Sequence, residues 1–107
     1  MVLALTAGFE LIGEAETGRQ SVEMAVALRP DLVLMDVNLP DVDGFEATRR
    51  IREAMQRPPI VVMLSTYEAV DYADRAIAAG AAAFVSKSTF TPDELRRVWE
   101  QASAQIG

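Results

Sequence analysis

The chain has 107 residues, 50% hydrophobic and 24% charged, which fits one compact domain and leaves no room for a second. Ten basic against sixteen acidic residues give a net charge of −6, so the surface repels phosphate backbones and anionic headgroups, and neither nucleic acid nor a membrane is an expected partner. With no cysteine and no histidine, disulfides, zinc sites, thiolate catalysis and imidazole acid–base chemistry are excluded; carboxylates, hydroxyls and lysines remain. A reducing, cytoplasmic compartment is the matching expectation.

In chain order, Met1–Thr6 comes first and is too short for a complete strand plus helix. It reads as the last turns of a truncated helix, which leaves the fold without its first strand. Phe9–Ala15 reads as a strand and Gly18–Arg29 as a helix whose inward side carries Val22, Ala25 and Val26. Pro30 breaks that helix from Asp31–Asp36, DLVLMD, a near-continuous apolar strand of the kind buried on both faces. Beyond Asn38-Leu39-Pro40-Asp41 and the turn-forming Asp43-Gly44, the spacing of Phe45, Thr48 and Ile51 predicts a helix over Phe45–Met55. Pro58-Pro59 ends that excursion, and Ile60–Ser65 is the next strand. A helix from Glu68 to Ala79 follows, with Gly80 available to close it in a left-handed conformation. Phe84–Lys87 is a short last strand. Thr91-Pro92-Asp93-Glu94 then supplies a capping threonine, a proline at the first helical position and a glutamate three residues after the cap, ahead of a helix with Leu95, Val98 and Trp99 on its apolar side. Strands alternating with helices to the end of the chain predict a doubly wound parallel sheet.

Functional groups in open parallel sheets gather outside the carboxyl ends of the strands. Asp36, Ser65 and Lys87 each terminate an apolar strand, and the three strands follow one another in βαβ order. Each residue also has a plain reading: a turn aspartate, a helix-capping serine, a solvent-facing edge lysine. Together they place an acceptor, a donor and a cation on one edge, the makings of a shared anion site. Such a trio suits phosphoryl transfer, in which a carboxylate attacks phosphorus while a hydroxyl and an ammonium neutralise the phosphoryl oxygens. A divalent metal normally completes such a site, and the Asn38 backbone carbonyl is one available ligand beside Asp36.

From Phe9 to about Ala104 the sequence resembles the receiver domain of bacterial two-component response regulators. PDLVLMDVNLPDVDGFEATRRIR resembles the family's phosphoacceptor strand, its loop and the next helix; IVVMLST places Ser65 at the hydroxyl position, and AGAAAFVSK places Lys87 at the lysine and Phe84 at the aromatic switch. The resemblance implies a flavodoxin-like sheet of order 2-1-3-4-5. It also implies that a histidine kinase or phosphotransfer protein donates a phosphoryl group to Asp36 with Mg²⁺, that Ser65 and Lys87 bind it, and that Phe84 turns inward as the face of the last two helices changes partners. Homodimerisation through those helices is a further implication, and Tyr67 and Tyr72 are placed on or beside that face or as ordinary half-buried helix residues.

Two departures stand out. Ser88 replaces the proline common after the lysine, and the acidic pair that ends the family's first strand is absent, since Met1–Gly8 contains no acid. The expectation is a single domain over 1–107, truncated at its N-terminus, with the first strand and most of the first helix missing and no output domain. Mg²⁺ binding is then expected to be poor, with Asp36 and the Asn38 carbonyl as its only ligands. The bare second strand would make the chain unusually unstable or a strand-sharing oligomer, unless Met1–Leu5 folded into the gap as a hairpin. A degenerate receiver that binds partners without phosphorylation is one alternative function. A phosphatase like the haloacid dehalogenases is another, although its nucleophile motif wants an aspartate where Asn38 stands.

Overall fold

The computed structural model describes residues 1–66 and 70–106, with side chains over 1–66 and 72–104. Five strands, β1 (Val2–Leu5), β2 (Leu11–Ala15), β3 (Leu32–Asp36), β4 (Ile60–Ser65) and β5 (Ala83–Ser86), form one sheet of order β2-β1-β3-β4-β5. Helices α1 (Gly18–Leu28), α2 (Gly44–Ala54) and α3 (Val70–Ala79) cover one face and α4 (Pro92–Ile106) the other.

The order matches expectation and the first strand corrects it. Residues 2–5 are not the end of a helix: they form the central strand β1, antiparallel to both neighbours, with Val2 opposite Ala15 on one side and Met35 on the other. The sheet is therefore mixed rather than wholly parallel. VLAL suits this place because both faces are apolar. Val2 joins the core under α1–α3, Leu5 joins the core under α4, and Val2 and Ala4 are fully buried. A strand here also pairs backbone groups of β2 and β3 that would otherwise be left unsatisfied, at roughly 1–3 kcal/mol each where buried.

A five-residue connection allows only the antiparallel solution. Phe9 N–H donates to the Thr6 carbonyl at 2.8 Å and Thr6 N–H to the Glu10 carbonyl at 2.9 Å, closing a hairpin turn. Phe9 adopts φ 65°, so it belongs to the turn and the strand begins at Leu11. Its ring stacks edge-on against Trp99 at 6.2 Å, which ties the strained turn to α4. No helix stands between β1 and β2, and the gap expected to drive strand sharing is filled by the chain's own residues.

The other elements fall close to their predicted bounds. In α1 the buried positions are Gly18, Ser21 and Ala25, whereas Val26, expected inside, is 45% exposed. Thr91 caps α4 through the Glu94 N–H at 3.1 Å, and Gly80 takes φ 105° after α3. The predicted start of α3 at Glu68, and Tyr67, lie outside the described residues.

Candidate functional site at the carboxyl edge of the sheet

β3, β4 and β5 run parallel, with Asp36 level with Leu64 and Ser65 level with Ser86, so all three end at one edge. Asp36 is the last residue of β3, its side chain 15% exposed. Lys87 follows β5 directly, and its Nζ lies 2.5 Å from Asp36 Oδ1. Its backbone N–H donates to the Ser65 carbonyl at 2.8 Å, which fixes the lysine stem to the end of β4. Ser65 itself is buried, 2% exposed. The three residues singled out in the sequence are thus brought together by strand register.

The loop after Asp36 is held by close packing. Gly44 N–H donates to the Val37 carbonyl at 2.9 Å, and a Cβ on Gly44 would collide with the Asp36 carbonyl oxygen. Asp43 caps α2 by accepting from the Glu46 N–H at 2.9 Å. Phe84 is half-buried against the core under α1–α3, and Tyr72 is half-buried with its ring edge-on to Phe45 at 5.8 Å. Asn38 is exposed.

Three features were not visible in the sequence. The α-ammonium of Met1 lies 2.7 Å from Asp36 Oδ2, a consequence of the unexpected direction of β1. Asp41 leaves its own loop to accept from the N–H groups of Gly18 at 2.8 Å, Arg19 at 3.2 Å and Val42 at 2.6 Å, so the loop after Asp36 is anchored to the start of α1. Desolvation pushes the Asp41 pKa up, but these backbone donors outweigh it and hold the carboxyl below its ordinary value. The guanidinium of Arg75 lies over the Phe45 ring at 4.2 Å, joining α3 to the start of α2.

A divalent cation does not fit this donor set. Lys87 already occupies one oxygen of Asp36, and among the described residues no three acidic, histidine or cysteine side chains converge as metal ligands. A groove of about 840 Å³ beside Arg29, Pro59 and Trp99 lies at the opposite, amino-terminal edge, away from these residues.

The family model described as response regulator receiver domain matches residues 1–100. The chain is 46% identical over 78 residues to protein-glutamate methylesterase/protein-glutamine glutaminase 1 of Syntrophus aciditrophicus, covering 72% of this chain and 22% of that protein. It is 41% identical over 80 residues to the transcriptional regulatory protein PdtaR of Mycobacterium tuberculosis, covering 75% of this chain and 38% of the relative. It therefore spans well under half the length of these relatives. Among solved structures, a two-component response regulator of the LuxR family from Aurantimonas superposes with a TM-score of 0.80 at 26% identity, over 91% of this chain and 69% of the other. The receiver domain of a NarL response regulator from Mycobacterium tuberculosis gives 0.79 at 26% identity, over 91% and 78%. Matched by the family model over residues 1–100 and superposed over 91% of its length on solved receiver structures, the chain belongs to the response regulator receiver domain family, the signalling domain of phosphorelays.

Proposed function

We propose that Asp36 is the phosphoacceptor of this receiver domain, taking a phosphoryl group from a histidine kinase or phosphotransfer protein in the cytoplasm, and that the domain is a switch rather than a turnover enzyme. The observation that carries the reading is the Lys87 Nζ at 2.5 Å from the Asp36 carboxylate, with the lysine backbone hydrogen-bonded to Ser65. An Asp36 oxygen attacks phosphorus in line with the donor bond, which breaks as the donor nitrogen leaves with the electron pair. Lys87 offers a point charge to the phosphoryl oxygens as charge spreads over them, and Ser65 lies at the adjacent strand end to donate to one of them. Positioning and charge neutralisation do most of the work in such a transfer.

The new negative charge draws Lys87 from the carboxylate toward the phosphoryl oxygens. Because Lys87 stands at the end of β5, this displacement bears on Phe84 three residues earlier and on the surface of α3, β5 and α4. That surface is the proposed partner face, including for a second copy of the domain. The output it controls is read as transcriptional regulation, which the name of the Mycobacterium relative states of that protein. No helix among the described residues is long and apolar enough to cross a membrane.

Incubation with acetyl phosphate followed by intact mass measurement tests the reading. A gain of one phosphoryl group per chain is expected, with none in Asp36→Asn. Undiminished labelling of the variant would remove Asp36 from the role, and sustained turnover of p-nitrophenyl phosphate would favour a phosphatase instead.

A further inference from the structure

Six of the chain's ten basic residues, Arg19, Arg49, Arg50, Lys87, Arg96 and Arg97, pair with carboxylates, and the guanidinium of Arg75 lies over the Phe45 ring. Three remain. Arg29, Arg52 and Arg57 are exposed, have no carboxylate or ring partner among the described residues, and all lie at the amino-terminal edge of the sheet. In a chain of net charge −6, unpaired cations gathered at one place make a local field opposite in sign to that of the whole.

Two grooves meet at that edge and share Arg57, Pro58 and Pro59 as a common wall. The larger, about 840 Å³, sets Arg29 and Arg57 around Val26, Met55 and Trp99, and Val26 is left 45% exposed there. The smaller, about 600 Å³, sets Arg52 beside Gly80 and Ala102. Proline fixes its φ, so the shared wall is stiff. A side chain at Gly80 would collide with the stem of Arg52; glycine lets that stem lie against the backbone between α3 and β5, with the charged head at the groove. Asp31 is the one acid lining either groove, and it accepts from the Ala7 N–H at 2.7 Å.

We propose that this edge docks an acidic peptide segment of a partner protein, its carboxylates on Arg29, Arg52 and Arg57 and an apolar side chain against Met55 and Trp99. A guanidinium presents a planar fork of donors that matches a carboxylate, and three of them beside apolar walls select a ligand that is both acidic and apolar. A nucleic acid fits less well. The net charge of −6 opposes a long polyanion, whereas a short segment meets chiefly the charges within about 8 Å of it at physiological salt. The surface lies at the end of the sheet opposite Asp36, so the proposal stands apart from the phosphoacceptor reading.

Trp99 is the chain's one tryptophan and lines the larger groove, so its fluorescence reports occupancy. The whole chain is titrated with a peptide of aspartates and glutamates around a single leucine, with the same peptide in asparagine and glutamine form, and with a single-stranded oligonucleotide of equal charge. Saturable binding of the acidic peptide is expected, with a Kd below about a millimolar that rises with added salt. Amide shifts should centre on residues 26–31, 52–61, 80–82 and 99–103. Arg29→Gln, Arg52→Gln and Arg57→Gln together should weaken binding about tenfold or more, whereas Arg49→Gln with Arg96→Gln, which removes two cations from elsewhere, should change it by less than about twofold. If the triple variant loses its amide dispersion, the shift map of the unaltered chain decides, and shifts centred elsewhere overturn the proposal. Equal binding of the uncharged peptide, tighter binding of the oligonucleotide, indifference of a folded triple variant, or no saturation each overturns it as well.

Discussion

Asp36, Ser65 and Lys87 were legible in the sequence because a polar residue ending an apolar run marks a strand end, and parallel register aligns strand ends. Asp41 was not, because its three donors include two from α1, 22 and 23 residues away in the chain. Its function as a tether carries a pH signature. Because backbone donors hold its folded pKa below the unfolded value, its contribution is present above the unfolded value and is lost as pH falls through the folded one. Asp41→Asn should therefore lower the urea midpoint at neutral pH and flatten the fall in stability under acid; parallel acid limbs for both proteins would contradict the assignment. Gly44 makes the steric counterpart. A methyl group there meets the Asp36 carbonyl and Met63, so Gly44→Ala should cost about 1–3 kcal/mol in urea unfolding and slow labelling at Asp36 by displacing the loop.

At the scale of elements, eight of the nine were anticipated because their apolar spacing and turn residues agree with their final state. The exception is instructive in its cause. VLAL is apolar throughout and too short for hydrophobic periodicity to separate a strand from the end of a helix, so its pattern alone fixes neither the strand nor its direction. The turn decides it: too few residues separate β1 from β2 for a crossover, and Phe9 accepts a left-handed backbone while its ring is held by Trp99. A double-mutant cycle on Phe9→Ala and Trp99→Ala should return a coupling of about 0.5–1.5 kcal/mol, and additivity would show that the turn is not anchored through this pair. Arg75→Ala, which removes the guanidinium over Phe45, should cost about 0.5–1 kcal/mol, with the loss read as a lower urea midpoint.

Across the whole molecule, β1 closes the seam between β2 and β3 and adds side chains to the cores on both faces of the sheet. Val2 lies with Val33, Met35 and Met63 under α1–α3, while Leu5 lies with Leu32, Leu34 and Val62 under α4. With that seam closed from within the chain, the unphosphorylated domain should melt cooperatively at a midpoint independent of protein concentration; a midpoint rising with concentration would point to strands exchanged between copies. Whether the carboxyl edge of the sheet carries the phosphoacceptor is read by trapping the acyl phosphate with borohydride after acetyl phosphate treatment and mapping the altered residue by peptide mass spectrometry. Modification is expected at Asp36 alone, and modification at any other carboxylate with Asp36 intact would remove Asp36 from the phosphoacceptor role.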